Sequence, residues 1–120
     1  WRPVLSINDA VSAYIKAIEA QENISGIFNI ASGNFTVGEI GDLVKLSVVK
    51  DLGVEIKLKI KNLKDFRNYK VSYEKAKTVL GYNPSQDISC IVKNLQLNLE
   101  KFRDFSNSDY YNIQVFKKNN

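Results

Sequence analysis

The sequence predicts a small α/β domain, and three features of its hydrophobic pattern lead there. An amphipathic stripe with helical spacing runs through residues 8–21, a short apolar run, Ile-Phe-Asn-Ile-Ala, occupies 27–31, and apolar and charged residues alternate over 54–60. A chain of 120 residues can bury one core and no more. Its 44% hydrophobic and 25% charged residues are those of an ordinary globular domain. No apolar run approaches the roughly 18 residues that suggest a membrane span. Trp-Arg-Pro-Val at the start lacks the basic and apolar regions of a secretory signal.

Taken in order, Val4 to Ile7 reads as extended, and a helix follows from about Asn8 to Gln21. Ala10, Val11, Tyr14, Ile15, Ala17 and Ile18 form its apolar stripe. Asn8 or Ser6 supplies the cap, with Asp9 favourable in the first turn. Ile27 to Ala31 has the composition of a strand covered on both faces. Thr36-Val-Gly-Glu39 is a capping box opening a second helix, which Gly53 ends. Val54 to Ile60 predicts a half-exposed strand with one charged face. Tyr69 to Val71 is extended, a short helix runs from Ser72 to Leu80, and Gly81 and Pro84 close it. A long helix is expected from about Asp87 to Phe105, and the tail from 107 to 120 is expected to pack loosely. The order is β-α-β-α-β-α-α. With no Met and an aromatic first residue, the chain is expected to be a piece of something longer.

Composition narrows the chemistry. There is no histidine, so no Ser-His or Cys-His pair and no His-containing metal site can form. Cys90 is the only cysteine and lies in an apolar-periodic stretch, where a buried packing role is expected. A reducing cytoplasm suits a lone thiol. Tyr73-Glu-Lys-Ala-Lys77 has the spacing of a tyrosine activated by a lysine one turn on. No phosphate loop precedes it, so Tyr73 reads as a packing residue. Glu39 and Asp42 are one turn apart but sit at a helix start, where acids are favoured for structural reasons. No Gly-x-Gly-x-x-Gly is present, so the chain is not expected to bind a dinucleotide alone.

The net charge is +4, and the surplus is local: Lys50 to Lys77 holds nine Lys/Arg against four Asp/Glu. Arg2 and Arg67 are the candidate binding residues. Each lies on an extended or loop segment beside an aromatic, Trp1 or Phe66, and a guanidinium fork suits a diphosphate.

Three blocks also carry a family resemblance. Arg2-Pro-Val-Leu-Ser-Ile-Asn-Asp9-Ala-Val resembles the Arg-x-x-x-His-Val-x-Asp-Val/Ala segment of extended short-chain dehydrogenases, the NAD-dependent epimerase/dehydratase family. Gly26-Ile-Phe-Asn-Ile-Ala-Ser-Gly33, with Thr36 and Glu39, is similar to that family's Phe-Asn-Val-Gly-Ser-Gly strand and turn. Asp65-Phe-Arg67-Asn-Tyr69-Lys-Val-Ser-Tyr-Glu-Lys-Ala-Lys-Thr-Val-Leu-Gly-Tyr82 is similar to its Asp-x-Arg-x-Tyr-x-Val-Ser-Phe block. The blocks keep the family's order and spacing and span about residues 1–84. Departures are Ser6 where His is common, Ala31 where Gly is common, and Lys61 and Lys64 where an arginine often precedes the aspartate.

The resemblance implies the C-terminal substrate-binding lobe of a Rossmann-type enzyme, residues 1–105, with a tail over 106–120. Residues 27–31 would be the last strand of the Rossmann sheet, and the dinucleotide-binding part would be missing. It implies that Arg2 contacts a nucleotide diphosphate, with Asp65, Arg67 and Lys64 near the nucleoside and phosphate. The full-length enzyme would use NAD(P) to epimerise, dehydrate or reduce a nucleotide-diphosphate sugar, as a cytoplasmic homodimer. This chain alone is expected to have no turnover, no cofactor, no nucleic-acid partner and no membrane. Two rival expectations stand beside it. One is a basic binding module that uses Lys50 to Lys77 on an acidic partner or nucleic acid; the other is a degenerate, non-catalytic family member.

Overall fold

The computed structural model describes residues 1–61, 67–104 and 106–118. Within them lies a small, mostly helical α/β fold with a two-stranded sheet. Strand β1 (Arg2–Val4) pairs antiparallel with β2 (Gly33–Phe35), in the register Arg2 to Phe35, Pro3 to Asn34 and Val4 to Gly33. Between them comes α1 (Ile7–Ile18), and after β2 come α2 (Val37–Leu52), α3 (Glu74–Leu80) and α4 (Ile88–Leu97). Two 3₁₀ turns, Leu99–Phe102 and Ser108–Tyr110, lead to α5 (Asn112–Lys118).

The starts of α1, α2 and α4 each have a local cause. Ser6 Oγ accepts from Asp9 N at 2.9 Å, so Ser6 is the cap and the helix begins at Ile7. At α2 the capping box closes in both directions: Glu39 N donates to Thr36 Oγ1 at 3.1 Å, and Thr36 N donates to Glu39 Oε2 at 2.6 Å. Asp87 caps α4 by accepting from Cys90 N at 2.8 Å. Gly53 and Gly81 end α2 and α3 with φ of 66°, a left-handed conformation that costs glycine least.

The core is thin. Ala13 of α1, Ala76 of α3 and Tyr82 form its centre, and Phe28, Ile30, Tyr73 and Leu80 pack around them. Alanine at both helix positions suits the close packing of α1 and α3 in the cluster that buries Tyr82. The Tyr73 ring stands edge-on to it, 6.1 Å away at 89°. Tyr73 is thus half-buried packing, as its sequence context predicts. Ile88 and Val92 are buried on α4, which packs on α2 where buried Ser47 shares a 3.0 Å hydrogen bond with Ser89.

A large apolar surface is left over. The chain exposes 9804 Å², whereas a compact monomer of its mass exposes about 6,600 Å². Its radius of gyration is 17.2 Å, against about 14 Å for a compact chain of this length. The excess shows on α1, where Ile7, Val11, Tyr14, Ile15 and Ile18 are all exposed, and at Ile27. An apolar hollow of about 340 Å³ opens beside α1 between Leu5, Ala10, Tyr14, Phe28, Ile30 and Leu80.

Several sequence expectations are corrected. Residues 27–31 enter no strand ladder, although Ile27 is exposed, Phe28 half-buried, Asn29 exposed and Ile30 half-buried, the alternation of a strand. Residues 54–60 also enter none; their contact with the fold includes Leu58, whose methyls lie against Gly41 of α2. Alternating pattern makes a face, but a ladder needs a partner strand at hydrogen-bonding distance. The sheet forms instead from β1 and the turn after residue 31. The long helix expected over 87–105 stops at Leu97. The Asn98 side chain donates back to Asn94 O at 2.8 Å, and competition of that kind ends helices. Cys90 is half-buried rather than buried. In the tail, a 3₁₀ turn and α5 form where no element was expected, and Tyr110 Oη donates to Lys101 O at 2.9 Å. Among the described residues no helix is long and apolar enough to cross a membrane.

Candidate functional site

Two polar assemblies join distant parts of the chain. The first is buried. Asp9, only 1% exposed, receives hydrogen bonds from Ser32 Oγ at 2.5 Å, Ser85 N at 2.9 Å and Gln86 N at 3.2 Å. Ser32 Oγ in turn accepts from Ser6 N at 2.9 Å. One carboxylate therefore ties the start of α1, the turn before β2 and the segment before α4. Burial pushes its pKa up, but the hydrogen bonds from Ser32, Ser85, Ser6 and Gln86 outweigh burial and hold it below 3.8. Tyr82 completes this region: its hydroxyl donates to Ala31 O at 3.1 Å. Burial first, then the negative Asp9, pushes the phenol up to about 12. With its oxygens accepting main-chain and hydroxyl hydrogens, Asp9 has a structural job.

The second assembly is open to solvent. It grows from β1, whose pairing with β2 sets Arg2 and Asn34 at adjacent register positions near one end of the sheet. Arg2 Nη1 donates to Trp1 O at 2.8 Å and to Arg67 O. Asn34 acts as a two-way clamp: Nδ2 donates to Val71 O at 2.9 Å and Oδ1 accepts from Val71 N at 2.8 Å. Trp1 N donates to Asn68 Oδ1 at 2.6 Å. Residues 67–71 are thereby laid along the two-stranded sheet. Lys70, between the two anchor points, sets its ammonium 3.5 Å from the centroid of the Trp1 ring. At an exposed site such a cation–π contact contributes about 0.5–1 kcal/mol. A cleft of about 440 Å³ opens beside it, lined by Asn34, Lys70, Val71, Ser72, Tyr73 and Glu74. Glu39 is held below its ordinary pKa, first by hydrogen bonds from the Thr36 main chain and hydroxyl and further by the charge of Lys70.

Of the four residues selected from sequence, Arg2 and Arg67 are brought together. Lys64 and Asp65 lie outside the described residues. Sequence reasoning passes over Lys70 and Asn34. Lys70 stands inside the third block beside Tyr69, yet only the tertiary contact with Trp1 distinguishes it from the other lysines of that stretch. Asn34 shows as a turn residue, the usual reading for asparagine after Ser-Gly.

The helix N-terminus that follows β2 does not suit a dinucleotide phosphate. The Thr36 hydroxyl and the Glu39 carboxylate already satisfy its first turn, and Glu39 sets negative charge where a phosphate would have to sit. Among the described residues no group of His, Cys, Asp and Glu could hold a metal ion. No family model matches the chain, and neither the curated proteins nor the solved structures contain a match.

Proposed function

We propose that this chain is the nucleotide-sugar-binding portion of an NAD(P)-dependent epimerase or dehydratase, and that it has no turnover alone. What supports this is the meeting of the three blocks that carry the resemblance. Arg2 of the first holds the main chain of Arg67 in the third, and Asn34, directly after the second, clasps Val71 in the third. Segments tens of residues apart in the chain converge on one open cationic corner with a cleft beside it. That is the arrangement expected if the resemblance reflects a shared diphosphate site. The exposed apolar face of α1 and the exposed Ile27 also suit a lobe that packs on a larger α/β body. Cofactor chemistry would belong to that body, since the α2 N-terminus offers no phosphate loop.

The test is a titration of the chain with UDP, dTDP, GDP and CDP, followed by amide chemical shifts. The expected outcome is a saturable response confined to residues 1–2, 34 and 67–74, with at least one nucleoside diphosphate above its monophosphate. A chain that responds to none of them, or only in proportion to added ionic strength, is not a nucleotide-sugar lobe. The basic-module alternative then becomes the better description.

A further inference from the structure

We propose that residues 54–60 are a pairing strand whose partner is the same segment of a second copy of this chain, joined antiparallel about Ile56. The segment has the period-two pattern of a strand, Val-Glu-Ile-Lys-Leu-Lys-Ile, yet it enters no ladder among the described residues. Its apolar side is partly covered: Ile56 is half-buried, and the Leu58 methyls lie against Gly41 of α2. Val54, Leu58 and Ile60 are nonetheless exposed, and so are Glu55, Lys57 and Lys59. Main-chain pairing with a strand from another chain is the contact such a segment suits.

Charge decides which strand and in which register. Lysines on an exposed edge discourage pairing. Parallel in-register pairing would set Glu55, Lys57 and Lys59 each against its own copy. An antiparallel pair keeps both apolar sides together when its two-fold axis is centred on a residue, because side chains alternate with period two. Centring on Glu55 opposes the two glutamates, centring on Lys57 opposes the two Lys57 side chains, and centring on Leu58 opposes Lys57 to Lys59. Centring on Lys59 or Ile60 opposes lysines again, and centring on Val54 runs the pair into α2. Centring on Ile56 sets Glu55 opposite Lys57 on both sides of the axis, with Val54 facing Leu58 twice and Ile56 facing itself. Lys59 then falls opposite Gly53, which ends α2 and has no side chain to clash with it. The segment is therefore self-complementary in one register. Opposite charges directly across an antiparallel pair stabilise it, and like charges destabilise it. The same patch is used on both copies, so the assembly closes at two. The pairing involves none of the residues assigned above to nucleotide binding.

Sedimentation velocity over a concentration series tests this on the full chain and on Glu55→Lys, Lys57→Glu, the double variant carrying both, and Lys59→Glu. Circular dichroism checks that each is folded. The wild type is expected to show a concentration-dependent monomer–dimer equilibrium. Glu55→Lys and Lys57→Glu should each weaken the dimer about tenfold, because each turns two attractive cross-strand pairs into two repulsive ones. The two changes move the net charge of +4 in opposite directions, so a general charge effect cannot weaken both. The double variant should dimerise like the wild type. An equimolar mixture of the two single variants should recover as a heterodimer, since each copy then offers one sign to the other. Lys59→Glu should change the dimer least. Single variants that dimerise as the wild type does, or a mixture that fails to recover, overturn the register. A wild type that stays monomeric throughout overturns the proposal and assigns the segment to a strand of a different polypeptide. Nucleotide titration of the same samples reads the nucleotide-sugar proposal separately.

Discussion

The Asp9 knot and the Arg2–Lys70 corner are built from similar parts and do opposite work. Each links β1 or the start of α1 to a segment more than sixty residues away. Asp9 is 1% exposed, and hydroxyls and main-chain amides surround its carboxylate. Lys70 is exposed and rests on an indole ring. A buried ion whose partners all come from its own chain has no capacity left for a ligand. An exposed cation held by a weak contact keeps that capacity. Burial and satisfaction therefore separate structural from binding polar groups better than residue type does.

Removing the Asp9 carboxylate should have the largest effect. In Asp9→Ala, Ser32 Oγ and the amides of Ser85 and Gln86 lose their acceptor in a buried place, so about 3 kcal/mol of stability should be lost. Urea denaturation followed by circular dichroism measures this. The same contact predicts an acid limb. Because the folded state holds Asp9 below 3.8, it stabilises the chain above that pH, and the contribution disappears as pH falls through the folded value. Asp9→Asn should lack that part of the acid transition. A wild-type and Asp9→Asn pair with superimposable pH profiles would place Asp9 outside the knot.

Asn34→Ala tests the junction of the two regions. Losing both hydrogen bonds to Val71 should cost about 1.5 kcal/mol. It should also loosen residues 67–71, so nucleotide affinity should fall even though Asn34 itself need not touch the phosphates. Hydrogen exchange at Val71 is the direct readout, and unchanged protection there would break the link drawn between sheet and corner.

The smallest of these effects belongs to Tyr82→Phe, which keeps the ring and removes the bond to Ala31 O. It should cost about 1 kcal/mol near neutral pH. The wild-type phenol holds its proton more tightly when folded, with a pKa of about 12 against an ordinary 10.0. Its contribution is complete below pH 10 and is lost as pH rises from there toward 12. The stability difference between wild type and Tyr82→Phe should therefore shrink across that range. A difference that stays constant would mean that Tyr82 is less buried than its position implies.

Local rules were legible in the sequence wherever a few neighbouring residues decide the outcome. The Thr36–Glu39 capping box, the Gly53 and Gly81 stops and the packing role of Tyr73 depend on side chains three or four positions apart or on one backbone conformation, and all are read directly. The site was legible only in outline. Arg2 and Arg67 stand out as scarce arginines beside aromatics, but their meeting through a main-chain carbonyl leaves no mark in the pattern.

What required the tertiary structure is whatever depends on a partner far along the chain. The runs at 27–31 and 54–60 have the periodicity of strands, yet they form no ladder, because hydrogen-bonded pairing belongs to two segments and periodicity to one. Asp9 is, by sequence, an acid in the first turn of a helix, and only the approach of Ser85 and Gln86 makes it a buried hub. Lys70 is one of many lysines until the sheet sets the Trp1 ring beneath it. Sequence by itself determined α1, α2 and α3 to within a few residues, with the capping box of α2 and the apolar stripe of α1, since those are properties of contiguous residues. The fold decided which polar groups are saturated and which remain open, since that depends on which distant segments meet.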